Sequence, residues 1–75
     1  MGGRANRPGL AKRSVTLAGH RTSVALEPEF WAALESLAAA QGLALAALVA
    51  EVDAARPPGQ PLASALRLTA LRSRP

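Results

Sequence analysis

An alternating pattern of polar and apolar residues near the centre of the chain predicts a short β-strand over Arg21–Leu26. Side chains point alternately to the two faces of a strand. One face would carry Thr22, Val24 and Leu26, and the other Arg21, Ser23 and Ala25. The first face is the one expected to be buried. The second is small, polar and basic, which is an unusual combination for a face that packs on protein.

A second alternating run, Lys12–Leu17, precedes this strand, and Ala18-Gly19-His20 lies between the two runs. Two interpretations compete. In the first, residues 13–17 and 21–26 form a hairpin, because Gly tolerates positive φ and three-residue hairpin loops containing Gly are common. In the second, the segment is a basic extended arm that leads into a single strand. The hairpin is slightly favoured.

Helical periodicity begins directly after the strand. Pro28 suits the first position of a helix, and the neighbouring acids Glu27 and Glu29 suit the positive end of the helix dipole. Apolar residues then recur at helical spacing up to Gly42, a residue type that commonly caps helices in the left-handed conformation. The pattern predicts a first helix over about residues 28–41.

Two more helices are predicted further along the chain. The second extends from near Ala44 to about Arg56 and stops at the Pro-rich segment 57–61. The third is short and covers Leu62–Leu71, where apolar residues again follow helical spacing. Part of this last segment, Arg67–Leu71, is also compatible with an extended conformation.

The apolar faces of these elements look too large for one small chain to cover. A chain of this size has a marginal core if its tails lack structure, and it contains no Cys for a disulfide. A second copy is therefore expected to cover the faces. The residues predicted for this dimer core are Val24, Leu26, Phe30, Trp31, Leu34, Leu37, Leu45, Leu48, Val49 and Val52.

Charge is distributed unevenly along the chain, which has a net charge of +4. All five acids lie between Glu27 and Asp53, and all nine basic residues lie outside that segment. Basic ends around an acidic middle suggest a polyanion partner, with a solubilising surface as the plainer alternative. The predicted organisation is a flexible basic arm (residues 1–11), a folded domain (12–56), and a Pro-rich linker, short helix and basic tail (57–75).

Catalytic, metal and membrane functions find little support in the sequence. His20 is the single His and has no Cys, His or paired acids at ligand spacing, so no metal site or cofactor is expected. The Ser residues lack a neighbouring base, so no enzyme is expected. No apolar run approaches the roughly 20 residues that span a bilayer. A cytoplasmic protein without membrane contact is the resulting expectation.

The order strand, Pro-initiated helix, Gly turn and helix resembles the ribbon-helix-helix family of DNA-binding proteins. The resemblance extends from Arg21 to about Arg56, with Gly42-Leu43 as the Gly–apolar pair that opens the turn into the second helix. More narrowly, KRSVTLAGHRTSV and LEPEFWAAL resemble a bacterial subfamily of small proteins described only as ribbon-helix-helix domains.

The resemblance implies a mainly α fold in an intertwined homodimer: one strand, with an extra N-terminal strand if the hairpin forms, two helices and a short third helix. One strand from each chain would pair across a two-fold axis, and this ribbon would enter the major groove of double-stranded DNA. Arg21, Ser23 and Ala25 would face the bases. Phosphates would be contacted by Lys12 and Arg13 and by the amides of Leu43, Ala44 and Leu45, which open helix two.

The chain departs from the family pattern in two places. The side-chain N-cap of helix two is missing, since the sequence there is Gly42-Leu43-Ala44-Leu45-Ala46, which weakens a phosphate clamp. The KRSVTL run either widens the ribbon and obstructs its insertion into the groove, or adds phosphate contacts as an arm. The implied function is a repressor that occupies its operator. The alternative is an antitoxin-like interaction module whose residues 57–75 bind a partner protein.

Overall fold

The computed structural model describes residues 9–73, which form a two-stranded sheet followed by a layer of helices. Strands β1 (Ala11–Leu17) and β2 (His20–Leu26) pair antiparallel, and they are followed by α1 (Pro28–Ala40), α2 (Leu45–Ala55) and α3 (Leu62–Arg72). The hairpin interpretation is confirmed, and the extended-arm interpretation is wrong. The flexible arm predicted over residues 1–11 lies mostly outside the described residues, although Ala11 already belongs to β1.

The hairpin turn has two residues rather than the three that the sequence suggested, because His20 is already part of β2. Ala18 and Gly19 both have positive φ, 52° and 83°. Two consecutive positive φ values define a type I′ turn, whose twist matches that of the strands it joins. Gly19 adopts this conformation without strain, whereas Ala18 pays about 1 kcal/mol for the left-handed region.

The strand register separates the hairpin into two chemically different faces. Directly opposed residues share a face, and the opposed pairs on the outer face are Lys12–Ala25, Ser14–Ser23 and Thr16–Arg21. The inner face carries the buried residues Val15, Leu17, Val24 and Leu26. The predicted alternation of β2 is therefore confirmed: Val24 and Leu26 are buried, while Arg21 and Ser23 are exposed.

The helices cover the inner face of the hairpin, with α2 against β1 and α3 against β2. Helix α1 begins where predicted: Glu27 is its N-cap, and the Glu27 carbonyl oxygen accepts hydrogen bonds from the amides of Phe30 and Trp31 at 2.9 and 3.2 Å. Within the described part of the chain no single helix is long and apolar enough to cross a membrane; α1 and α2 meet that test only together, across a 99° bend.

Helix α3 is attached to the start of α1 by an arginine. The Arg67 Nε donates to Glu27 Oε1 at 2.9 Å, and its guanidinium carbon lies 5.8 Å from the centre of the Phe30 ring. The hydrogen bond from Arg67 lowers the pKa of the Glu27 carboxyl from its usual 4.5. These contacts attach α3 to the start of α1. Residues 62–72 are helical throughout, so the extended alternative for residues 67–71 is wrong.

A single chain already buries most of the predicted dimer core. Val24, Leu26, Trp31, Leu34, Leu48 and Val49 are buried, whereas Phe30, Leu37, Leu45 and Val52 are half-buried. The cover comes from the chain itself: β1 contributes Val15 and Leu17, and α3 contributes Leu66, which is fully buried. The six buried members of the predicted set therefore do not need a second copy to cover them, and that expectation is wrong because β1 and α3 cover them instead.

Candidate nucleic-acid interface

The outer face of the hairpin is the candidate interface, and six side chains form it: Lys12, Ser14 and Thr16 from β1, and Arg21, Ser23 and Ala25 from β2. All are exposed except Ala25, which is half-buried. Two of the six are cations and none is an acid. Small hydroxyl and methyl groups occupy the middle of the face, so a flat polyanionic ligand can approach the backbone closely there.

The two cations of the outer face are unneutralised. Across residues 9–73, ion pairs engage Arg13, Arg56 and Arg67, but neither Lys12 nor Arg21. A cation that no acid neutralises keeps its full attraction for a phosphate or for the O6 and N7 of guanine. The predicted base contacts Arg21 and Ser23 thus share one solvent-facing surface with Lys12.

Arg13, the other predicted phosphate contact of β1, lies on the inner side of the hairpin. Its Nη1 donates to Glu35 Oε2 at 2.8 Å, and its guanidinium carbon lies 5.0 Å from the centre of the Trp31 ring. The Trp31 Nε1 in turn donates to the carbonyl oxygen of Ala11 at 2.8 Å. Arg13 therefore attaches β1 to α1, and its charge is shared with a carboxylate, so it is less suited than Lys12 to a phosphate.

The turn between α1 and α2 contains the predicted phosphate-binding amides. Gly42 takes φ 71°, and the amides of Gly42 and Leu43 donate back to the carbonyl oxygens of Ala39 and Ala38 at 3.1 and 2.8 Å. This pair of bonds is a Schellman motif. The Leu43 amide already donates to Ala38, so the prediction that it binds a phosphate is not supported, unlike that for the amides of Ala44 and Leu45.

Those two, Ala44 and Leu45, belong to the opening of α2, where Ala44 is the N-cap and makes no side-chain capping bond. The first helical bonds run from the amides of Ala47 and Leu48 to the Ala44 carbonyl oxygen. The amides before them point out of the helix end, which favours an anion. The weak cap expected from the sequence is confirmed.

A family model described as a ribbon-helix-helix domain matches residues 10–73. The chain belongs to the ribbon-helix-helix domain family. Proteins of this family are in general DNA-binding regulators rather than enzymes. The match includes β1 and α3, so both belong to the domain in addition to the strand and two helices that carried the resemblance. Searches of curated proteins and of solved structures returned no match.

Sequence reasoning missed two residues of this ribbon-helix-helix surface, Ser14 and Thr16. The sequence did not predict the strand register that brings them there. A two-residue turn at Ala18-Gly19 places Ser14 opposite Ser23 and therefore on the same face. His20 opens β2 as an exposed residue. No group of three His, Cys, Asp or Glu side chains suited to a metal occurs within the part of the chain that the structure describes.

Proposed function

We propose that this protein is a sequence-specific DNA-binding transcriptional regulator that places the outer face of its hairpin in the major groove. One observation carries the proposal: among residues 9–73, no ion pair engages Lys12 or Arg21, which lie on a face that has no acid. The major groove accommodates a two-stranded ribbon, and each base pair presents a distinct pattern of donors and acceptors there. Family membership supports the same class of function.

Each β2 side chain has a separate role in this proposal. Arg21 forms a forked pair of hydrogen bonds to a guanine, because its donors match O6 and N7. Ser23 donates to or accepts from a base edge, and Ala25 contacts a thymine methyl group. The exposed state of Arg21 and Ser23 leaves both side chains free to adjust to the base they meet.

Phosphate contacts would hold the ribbon at the correct depth. We assign this role to Lys12 and to the amides of Ala44 and Leu45. Arg13 has a mainly structural role, because it is paired with Glu35. Repression follows from occupancy, since a protein seated in an operator excludes other proteins from it. The homodimer that the family implies would present two such surfaces to neighbouring stretches of one operator.

The alternative of an antitoxin-like module loses part of its support from the position of α3. That alternative uses residues 57–75 as a free segment that wraps around a partner. In the structure, Leu62–Arg72 is a helix that packs on α1, α2 and β2, with Leu66 fully buried. Ala65, Leu66 and Ala70 are buried against the rest of the domain, so α3 has less apolar surface to offer to a partner, and Leu68 and Leu71 are its exposed leucines.

Selection from a random duplex DNA library, followed by a salt titration of the best sequence, tests the function. We expect a defined sequence to be enriched, with log Kd depending linearly on log salt because bound phosphates release counterions. Arg21→Ala should weaken specific binding by about 1–3 kcal/mol and relax the preference at the base it contacts. Arg72→Ala, which removes an exposed cation on α3, is the matched control.

No enrichment of any sequence, or binding that is insensitive to salt, would contradict the proposal. If Arg21→Ala and Arg72→Ala changed affinity and preference equally, DNA binding would stand, but the assignment of Arg21 to a base would be wrong.

A further inference from the structure

The two strands of the hairpin are similar in sequence. Lys12-Arg13-Ser14-Val15-Thr16-Leu17 aligns without gaps with Arg21-Thr22-Ser23-Val24-Ala25-Leu26. Ser, Val and Leu are identical at the third, fourth and sixth positions, a cation stands at the first position of both, and a small residue stands at the fifth. The corresponding residues also have the same burial: Val15 and Val24 are buried, as are Leu17 and Leu26.

The strand register turns this similarity into a local two-fold symmetry. Ser14 lies opposite Ser23, which is the residue it corresponds to in the alignment. A two-fold axis through this pair exchanges Lys12 with Arg21, and Thr16 with Ala25. Two identical strands paired antiparallel about a two-fold axis produce this arrangement. The central residue faces its own copy, and the pairs on either side of it are exchanged by the axis. The hairpin of one chain thus has the form of a two-chain ribbon.

We infer that one chain forms the complete DNA-reading ribbon, with Lys12, Ser14 and Thr16 in the places that the second copy's Arg21, Ser23 and Ala25 would otherwise occupy. This inference rests on the proposed function and extends it in two respects. It assigns base contacts to three residues of β1, including Lys12, which the family resemblance placed only on a phosphate. It also removes the need for a second copy at the reading surface.

The width of the groove favours a ribbon of two strands. If β2 also paired with β2 of a second copy, β1 would flank it on each side and the sheet would have four strands. Neighbouring strands lie about 4.8 Å apart, so four would span about 14 Å between the outer backbones. The major groove is only about 12 Å wide. Two strands span about 5 Å, which leaves room for side chains on both sides.

The burial of the inner face of the hairpin within a single chain supports the same inference. In an intertwined dimer, the second copy's strand would cover the helices beside β2. Here β1 occupies that position, and its Val15 and Leu17 are 8% exposed in a single chain. The inner face also breaks the symmetry: Arg13, which corresponds to Thr22, reaches α1 through Glu35 and Trp31. The outer face, where DNA would lie, keeps similar residues at all three corresponding pairs, whereas the inner face keeps them at Val15/Val24 and Leu17/Leu26 and loses them at Arg13/Thr22.

The ribbon predicts the spacing of its contacts on DNA. Lys12 lies opposite Ala25 and Arg21 lies opposite Thr16, so the two cations stand at opposite ends of the face, four residues apart along the strands. At about 3.3 Å per residue this separation is roughly 13 Å, or about four base pairs at ~3.4 Å each. The geometry therefore assigns Lys12 and Arg21 to two base pairs about four positions apart.

Library selection with single variants of the full chain tests this inference. The proteins compared are the wild type, Lys12→Ala, Arg21→Ala and, as the charge-matched control on α3, Arg72→Ala. We expect Lys12→Ala and Arg21→Ala each to remove the preference at one base pair, at two different positions, with a loss of specific affinity of roughly tenfold each. Arg72→Ala should keep both preferences. Because each chain carries a complete ribbon in this inference, a single recognition sequence should contain one base pair, without a two-fold-related copy, whose preference depends on Arg21.

Three outcomes would overturn the inference. The first is a uniform loss of affinity in Lys12→Ala with every base preference retained, which identifies Lys12 as a phosphate contact. The second is the loss of two symmetry-related preferences in Arg21→Ala, which identifies a ribbon made of β2 from each of two chains. Both leave DNA recognition intact. In the third, the wild type selects no sequence, and the proposed function fails along with the inference.

Discussion

Lys12 and Arg13 are adjacent cations of one strand, and the structure gives them opposite environments. Lys12 points to solvent beside Ser14 and opposite Ala25, with no acid on its face. Arg13 points to the helix layer, where Glu35 accepts its hydrogen bond and Trp31 lies beneath it. Strand alternation alone makes the difference, because successive side chains leave opposite faces of a sheet. Adjacent basic residues of this strand therefore have two different roles. Arg13 is structural, and Lys12 is available to a ligand.

Two structural arginines of this domain, Arg13 and Arg67, make the same kind of contact. Arg13 joins β1 to α1 through Trp31 and Glu35, and Arg67 joins α3 to α1 through Phe30 and Glu27. Each arginine covers one of two consecutive aromatic residues of α1 and reaches an acid near it. The two elements that extend the strand-helix-helix unit are thus attached to the same helix by the same kind of contact.

The largest expected effect of breaking the structural side of the comparison is at Trp31. Trp31→Ala should lower the free energy of unfolding by about 3–5 kcal/mol, because it leaves a cavity under the hairpin and removes both the hydrogen bond to Ala11 and the contact with Arg13. Urea denaturation followed by circular dichroism measures it. Leu71→Ala, at a 50% exposed position of α3, is the control and should change stability by less than about 0.5 kcal/mol. Equal losses in the two variants would show that Trp31 does not hold the hairpin.

Smaller effects are expected from replacing the two cations. Arg13→Ala should lower stability, whereas Lys12→Ala should lower DNA affinity. The Arg13 and Glu35 side chains are 42% and 52% exposed, and exposed ion pairs and cation–π contacts contribute up to about 1 kcal/mol each. Arg13→Ala should therefore lower stability by about 1 kcal/mol and leave the salt dependence of DNA binding nearly unchanged. Lys12→Ala should leave stability unchanged.

A double-mutant cycle with Glu35→Ala isolates the contribution of the Arg13–Glu35 pair. If Glu35→Ala costs nothing once Arg13 is replaced, the two side chains act as a pair. A stronger dependence of DNA affinity on Arg13 than on Lys12 would reverse the division between structural and free charge.

The smallest expected effect is at the turn that sets the register between the two faces. Ala18 holds φ 52°, a conformation that Asn adopts more readily than Ala, and Asn-Gly is favoured in type I′ turns. Ala18→Asn should raise the free energy of unfolding by about 0.5–1 kcal/mol without altering base preference. Thermal unfolding measures the change. A loss of stability, or a changed preference, would show that the register depends on something other than this turn.

Much of the helical layer could be predicted locally. Glu27-Pro28-Glu29 marks the start of α1, and Gly42 forms the Schellman motif at its end. The burial of Val24 and Leu26 follows from alternation in β2. The arm-or-strand choice for residues 12–17 did not follow in the same way, since it depends on pairing with β2. The same applies to α3, which packs on the domain through residues far away in the chain, such as Glu27, 40 positions before Arg67.

By itself, the amino-acid sequence determined β2, α1 and α2, the face of β2 that would be buried and the family to which the domain belongs, because periodicity, capping residues and turn-forming glycines act over a few residues. Only the tertiary structure decided that Ser14 stands opposite Ser23, that Arg13 turns inward while Lys12 faces out, and that β1 and α3 cover a core expected to need a second copy. These three facts depend on contacts between residues far apart in the chain. Such contacts depend on packing and cannot be predicted from local propensity.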